Sequence, residues 1–241
     1  MKHAANRRSR TVAKTCSAYF GLLFNILILA AGAGAAHAQV RRPVPRIALP
    51  ATWISISGGL FNANGVSDGR TSSTWDFGQA SNLQVRAAVE RTLQGQTSLG
   101  LVGTYLHAPF TYIGLDGDDS CARCAAHLDL LSLGASFHVG GGQGLHQVIE
   151  GSAGVAQYRN LTRDSDDSPL NPVGGNFDPY FSFGYGFGYG FSNRMQASVV
   201  QELGIVLHER NGLSSESSNT LRQRSLRLNF RYGVGNRART R

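Results

Sequence analysis

Six charged residues sit at alternate positions within apolar stretches, and they are the first candidates for chemistry. They are Arg86, Glu90, Glu150, Glu202, Arg227 and Arg231. Alternation places them on one side of extended segments, opposite the apolar residues. Isolated charges are too costly to bury, so these residues should pair with one another. The pattern is compatible with an ion path or gate, and it favours a polar plug that holds the structure in register.

Two cysteines form a second candidate site in the stretch "DDSCARCAAH", at Cys121 and Cys124. A Cys-x-x-Cys pair can be a redox centre, half of a zinc site, a haem attachment or a local disulfide. The stretch lacks a histidine directly after Cys124, a second metal-binding pair and a βαβ context. We therefore expect a disulfide that staples a loop in an oxidising compartment.

Acidic loops and histidines offer two further kinds of site. "LDGDDS" and "RDSDDS" group oxygen ligands that suit Ca²⁺ or the divalent ions bridging lipopolysaccharide phosphates, although the full EF-hand pattern is absent and solvated loops are often acidic. His107, His127 and His208 lie near the ends of predicted strands, but none sits in a recognisable active-site motif. We predict no metal, no cofactor and no enzymatic activity.

The stretch "YFSFGYGFGYGF" shows which elements must position these residues. Its large rings share one face of an extended strand, and serine or glycine occupies the other face. A water-facing strand surface rarely consists of glycines, because glycine weakens a strand. A membrane barrel reverses the two sides, with rings toward lipid and small or polar residues toward the lumen. A low-complexity segment prone to aggregation is the alternative.

Seven other segments alternate in the same way, which predicts eight strands in all. They span residues 52–62, 82–93, 97–113, 128–139, 146–158, 194–208 and 222–234. The parity of the second segment is expected to extend back through Trp75 and Phe77. Folding the last two segments about residues 214–215 puts Glu202 roughly opposite Arg227.

The predicted lipid-facing residues follow from this parity. They are Phe181, Phe183, Tyr185, Phe187, Tyr189, Leu226, Leu228, Phe230 and Tyr232. Tyr105, Tyr180, Tyr189 and Tyr232 are candidates for the interfacial girdles.

The connections alternate in length. Residues 94–96, 140–144 and 192–194 form short turns, whereas 63–73, 114–127, 159–177 and 209–221 are longer and rich in Gly, Ser, Asn and Asp. Short periplasmic turns and longer outer loops are typical of outer-membrane barrels. Soluble up-and-down barrels such as lipocalins share the strand order.

The first 38 residues read as a secretory signal, with a basic start, an apolar run and Ala36-His37-Ala38 before the predicted cleavage. Five of the 23 basic residues lie in it, which leaves 18 against 15 acids, a net charge of +3. Neither a basic patch nor a recognition helix is evident, so no nucleic-acid partner is expected. We predict a periplasmic segment at 39–51, a barrel at 52–234 and a basic tail at 235–241.

The chain resembles the family of small eight-stranded outer-membrane β-barrels that includes the OmpA transmembrane domain and OmpX. The resemblance rests on the signal, the strand count, the loop asymmetry and the last strand "LRLNFRYGV", and it covers nearly all of residues 52–234. It departs from the family where "GVGNRARTR" follows the last aromatic residues, because such proteins often end in an aromatic residue that the assembly machinery reads.

The resemblance implies an all-β, antiparallel, up-and-down transmembrane barrel in the bacterial outer membrane. Its expected partners are the lipid bilayer, lipopolysaccharide and the outer-membrane assembly machinery, and the protein is expected to be a monomer. We expect a polar, side-chain-filled lumen and a structural or surface-interaction role through four extracellular loops. The alternatives are a soluble periplasmic lipocalin-like barrel that binds an apolar ligand, and a lipid-modifying barrel enzyme.

Overall fold

The computed structural model describes residues 49–78, 82–114, 121–171 and 177–236. The signal, most of the 39–51 segment, Asp116, Asp118, Asp119 and the arginines of the tail lie outside the described residues. The strands are β1 (Thr52–Ala63), β2 (Val66–Asp68), β3 (Ser73–Asp76), β4 (Asn82–Gln94), β5 (Thr97–Gly114), β6 (Arg123–Val139), β7 (Gly144–Arg163), β8 (Phe177–Gly190), β9 (Met195–Leu207) and β10 (Thr220–Val234).

Eight of these strands close into an antiparallel barrel, in the order β1-β4-β5-β6-β7-β8-β9-β10, with β10 pairing back to β1. The residue paired with Ile54 on β4 is itself paired with a residue on β5, and this chain of pairs continues strand by strand to Arg222 on β10. The Arg222 carbonyl accepts from the amide of Asn64, which directly follows the outer end of β1 (3.1 Å). The circuit therefore closes ten residues beyond Ile54 (64 − 54); this offset is the shear of the barrel, and it corresponds to a strand tilt of roughly 40° to the barrel axis. The predicted fold class, an eight-stranded up-and-down barrel, is confirmed.

The two remaining strands form a hairpin in the first long connection. β2 pairs with β3, and β3 pairs with the outer end of β5 at Thr111 to Gly114. The parity predicted to run from β4 back through Trp75 and Phe77 is therefore wrong. Both rings are buried, because β3 belongs to this separate hairpin and does not continue β4 in phase.

Large apolar side chains cover the outside of the barrel. Phe183 is 56% exposed and Leu228 49% exposed, and every strand of the barrel contributes to this surface. We call this surface the apolar band. Toward its outer end this surface includes Leu60, Leu83, Tyr105, Val155, Phe181, Ile205 and Leu226. All nine residues predicted to face lipid point outward on β8 and β10.

One tyrosine predicted for the girdles lies elsewhere. Tyr180 points inward, is 3% exposed and donates its hydroxyl hydrogen to Ser152 Oγ (2.5 Å). It shares the parity of Ser182, so alternation itself assigns it to the interior. Tyr105, Tyr189 and Tyr232 are exposed at the ends of the apolar band.

The inward glycines of β8 leave space for its neighbours. A Cβ on Gly186 would lie 2.0 Å from the carbonyl oxygen of Val199, and one on Gly184 would lie 2.8 Å from a methyl group of Val200. Outward-facing Gly58, in contrast, has open space around it. The glycines of "FGYGFGYGF" are thus required by close packing inside the barrel.

The interior has two parts of different chemistry. Within the height of the apolar band it is polar and charged, whereas beyond the band it is an apolar and aromatic core built around Trp75, Tyr112, Tyr158 and Leu128. The interior is therefore polar, as predicted for the lumen, only within the height of the band, and the apolar core beyond the band was not predicted. In the described part of the chain, no helix is both long and apolar enough to cross a membrane.

Candidate functional site

The six charged residues singled out by alternation all lie inside the barrel. Each is 6% exposed or less, and Arg227 is 1% exposed. They come from β4, β7, β9 and β10, and the tilt of the strands brings these distant positions to similar heights. Three arginines face three glutamates, so the buried charges balance.

Arg227 links the part of this network that lies nearer the long connections. Its Nη2 lies 2.7 Å from Glu150 Oε2 and 2.9 Å from Glu202 Oε2. Arg86 Nη1 donates to the same Glu202 oxygen at 2.7 Å. Ser57 Oγ accepts from Arg227 Nη1 at 3.2 Å. Glu202 therefore bridges two arginines, and the hairpin register places it near Arg227 as expected.

Glu90 and Arg231 form the part of the network that lies nearer the short turns. Arg231 Nη2 donates to Glu90 Oε2 at 2.5 Å, and its guanidinium lies 4.8 Å from the centre of the Trp53 ring. The hydroxyls of Ser98 and Ser136 donate to the two oxygens of Glu90 at 2.7 and 3.1 Å. A carboxylate with three donors is well compensated for its loss of water.

The supporting groups were only partly evident from the sequence. His138 Nδ1 lies 3.2 Å from Glu150 Oε1, and Asn229 Nδ2 donates to the same oxygen at 3.4 Å. The alternation of side chains along their strands predicts that His138 and Asn229 point inward. Which side chains meet across the lumen depends on the shear of the barrel, and no local sequence pattern reveals the shear.

One cavity inside the barrel, among the described residues, is very small. A cavity of 10 Å³ lies above the network, lined by residues that include Gln84, Tyr180, Glu202 and Gln223. That volume is about that of one water-sized probe. Side chains therefore fill the interior at this height, as the diameter of an eight-stranded barrel allows.

Three buried polar residues, His208, Tyr158 and Asp178, lie together in the apolar core beyond the band, which we call the outer core. The sequence did not predict that they meet. His208 Nε2 and the Tyr158 hydroxyl lie 2.9 Å apart, and Trp75 contacts both rings. His208 Nδ1 lies 3.2 Å from Asp178 Oδ2, but neither of these two atoms has a hydrogen-bond partner among the described residues. His208 was noted only as a histidine near a strand end.

Burial controls the protonation of this group, which lies beyond the apolar band. It raises the pKa of Asp178 to about 6 and lowers the pKa of His208 to about 4. It also raises the pKa of Asp68, which is fully buried in the β2–β3 hairpin. The neutral forms of these groups are favoured because they lie in an apolar surrounding.

A polar cluster lies on the outside of β5, β6 and β7, just beyond the apolar band. Asp129 accepts from the Tyr105 hydroxyl (2.9 Å) and from Asn160 Nδ2 (2.6 Å), and His107 Nδ1 lies 2.9 Å from it. The His127 ring lies 5.2 Å from the His107 ring and is tilted by 45° to it. Two of the three histidines considered from the sequence thus lie together.

The cysteines and the described acidic loop complete the outer end. Cys121 and Cys124 are joined in a disulfide. In "RDSDDS", Asp166 accepts from Ser168 and lies 3.1 Å from Arg163 Nε. Over the ranges that the structure describes, no group of three or more His, Cys, Asp or Glu side chains is arranged to hold a metal ion.

Comparison with known proteins identifies the class of fold. Neisserial surface protein A superposes with a TM-score of 0.51 at 11% sequence identity, covering 76% of this chain and 97% of that one. OprG from Pseudomonas aeruginosa gives 0.44 at 9% identity, with 78% and 99% covered, and Ail from Yersinia pestis gives 0.39 at 10% identity, with 75% and 99% covered. The superposition on Neisserial surface protein A shows that the chain has the fold of a small outer-membrane β-barrel.

Comparison of the sequence with known families and proteins gives no match. No protein-family model matches the chain. No curated protein matches it either.

Proposed function

We propose that this chain is a monomeric bacterial outer-membrane protein with a closed lumen, which acts structurally or through its outer loops. In this proposal a cleaved signal exports it, the outer-membrane assembly machinery inserts it, and the bilayer and lipopolysaccharide surround it. The observation that carries the proposal is the inversion of polarity: apolar side chains are exposed, and paired charges are buried. A soluble barrel would have the opposite arrangement.

The closed lumen is supported by the ion-pair network and by the small cavity above it. An ion passing along the axis would have to displace Arg227, which is held by Glu150, Glu202 and Ser57. Breaking a buried pair in this way costs about 3–5 kcal/mol. The barrel is therefore a poor channel.

Fractionation, heat modifiability and planar-bilayer recording test the proposal together. The folded chain should require detergent for extraction, migrate differently on a gel before and after boiling, and give no stepwise conductance. The variant Arg86→Ala/Glu202→Ala serves as a comparison, because it removes one matched pair and leaves Arg227 paired with Glu150. It should conduct measurably. Extraction into water without detergent would refute the membrane assignment, and stepwise conductance of the wild type would refute the closed lumen.

A lipid-modifying enzyme is a second candidate, because of one arrangement on the outer surface. Thr162 Oγ1 lies 2.8 Å from His127 Nε2, and His127 Nδ1 lies 2.7 Å from Asp164 Oδ1. A hydroxyl, an imidazole and a carboxylate in this order form the nucleophile, base and orienting group of acyl-transfer sites. Overexpression should then change the mass profile of lipid A, and Thr162→Ala should abolish the change. An unchanged profile with the wild type would exclude this activity.

A further inference from the structure

Two arginines interrupt the outer surface where the apolar band ends on β10. Arg224 is the first outward residue beyond Leu226, and Arg222 follows it on the same face. Both side chains are exposed. Arg224 is paired in register with Leu203 on β9 and Asn62 on β1, and Arg222 is paired with Ile205. Their stems therefore start beside exposed aliphatic side chains.

This face offers the arginines no carboxylate. The outward residues of β1, β9 and β10 include no Asp or Glu at any height. The described residues form no ion pair with Arg222 or Arg224. The polar side chains near them on this face, Asn62, Asn64 and Thr220, are uncharged.

The opposite side of the barrel differs at the same rim. There Asp129 is held by Tyr105 and Asn160, and Arg159 donates to Gln157 Oε1 at 2.9 Å. Groups on that side satisfy one another. Arg222 and Arg224, in contrast, form no ion pair with a described residue, so their exposed guanidinium groups can bind an anion from outside the protein.

Their depth determines what that anion can be. An arginine facing lipid is strongly destabilising at the bilayer midplane and is tolerated near the interface. Long basic side chains at such positions extend toward the headgroups while their stems stay in apolar surroundings. Headgroup phosphates occupy this level, and a guanidinium binds phosphate through two parallel hydrogen bonds.

We propose that Arg222 and Arg224 form a binding site for the phosphate of an outer-leaflet lipid, with the aliphatic residues below contacting its acyl chains. This inference rests on the proposed outer-membrane location. It assigns the lipid contact to one face of the barrel, the outer edge of β9, β10 and β1. The phosphate of lipopolysaccharide and that of a phospholipid share this chemistry.

The test measures binding of fluorescent lipopolysaccharide to the full chain, folded in zwitterionic detergent micelles. Arg222→Gln/Arg224→Gln should weaken binding by about tenfold or more, since the substitutions remove the charge-assisted hydrogen bonds to the phosphate. Arg222→Lys/Arg224→Lys should fall between the two, because lysine keeps the charge and loses the paired geometry. The matched control is Arg91→Gln, which removes an exposed outward arginine at the inner end of the band and should bind as the wild type does.

Two further arms identify the source of the phosphate. Dephosphorylated lipopolysaccharide should bind the wild type as weakly as intact lipopolysaccharide binds the glutamine variant. Phosphatidylglycerol competing at equal concentration would assign the site to phospholipid phosphate. Equal affinity of the wild type and the glutamine variant for both lipids would overturn the inference.

The folded state of each sample separates this inference from the proposed function. Heat modifiability of every variant is measured on the same preparation. A wild type that stays soluble without detergent refutes the membrane location itself. If the barrel is folded and needs detergent, but the glutamine variant binds lipopolysaccharide as tightly as the wild type, only the phosphate site is refuted.

Discussion

At the scale of single residues, the lumen depends on matching each buried charge with a partner. Glu90 and Arg231 illustrate this, because they bind each other and also share Ser98 as a hydrogen-bond partner. Removing one member of such a pair leaves the other charged and buried, which costs more than removing both.

Glu90→Gln alone should therefore destabilise the barrel by about 3–5 kcal/mol in urea unfolding from lipid vesicles. The double variant Glu90→Gln/Arg231→Met should recover most of that loss, since no uncompensated charge remains. The two stabilities are compared under identical lipid conditions. A double variant as unstable as the sum of the two single losses would show that the pair is not coupled.

Protonation of the outer core gives a second residue-scale prediction. His208 has a folded pKa of about 4, below its ordinary value of 6.5, so its contribution is present above pH 6.5 and is lost as the pH falls toward 4. Asp178 acts in the opposite sense, because its folded pKa of about 6 lies above 3.8, and its burial penalty grows as the pH rises through 6.

The two effects should oppose each other between pH 4 and 6 in the wild type. Asp178→Asn removes the carboxyl contribution, so its stability should fall more steeply with acid over that range than that of the wild type. His208→Gln should instead become more stable as the pH falls from 6 to 4. Urea midpoints measured at half-unit pH steps give the slopes. Parallel slopes for all three proteins would mean that neither group titrates differently on folding.

At the scale of strands, β8 shows how glycine permits close packing. A Cβ added at Gly186 would lie 2.0 Å from the Val199 carbonyl oxygen, whereas a Cβ added at Gly58 on β1 would have no atom within 4 Å. We expect Gly186→Val to abolish the heat-modifiable folded form and Gly58→Val to retain it. A folded Gly186→Val protein would mean that β8 can move away from β9 at little cost.

The same strand shows what local pattern could and could not predict. Alternation on β8 and β10 identified the outward rings and the inward glycines, because side-chain direction along a strand has a period of two. Trp75 and Phe77 were assigned to the wrong side, since their hairpin starts a new phase. The outer core around Tyr158 was also missed, because the pattern of a strand does not reveal where the membrane ends and the buried apolar face begins.

Pairing between strands that are distant in sequence is harder to predict than direction. Glu202 and Arg227 share one hairpin, so their approach followed from the turn position. Arg231 and Glu90 belong to strands on either side of β1, and their contact depends on the registers in which β10 and β4 pair with β1. The exported signal and the lipopolysaccharide contact stay predictions.

At the scale of the whole barrel, the proposed orientation puts the long connections outside the cell. Ser215 lies in the connection between β9 and β10, and Gln143 lies in the short turn between β6 and β7, both exposed. A Ser215→Cys variant should react with a membrane-impermeant maleimide on intact cells. Gln143→Cys should react only after the outer membrane is permeabilised. The reverse result would invert the barrel.

The strands differ in length around the barrel. β5, β6 and β7 have 18, 17 and 20 residues, whereas β1, β4 and β9 have 12, 13 and 13. On a cell surface, the side of the barrel formed by β5, β6 and β7 would extend further from the membrane than the side formed by β1, β4 and β9. Antibodies or another cell would contact the long strands first, and a bulky sugar coat would cover the short strands while leaving the long ones accessible.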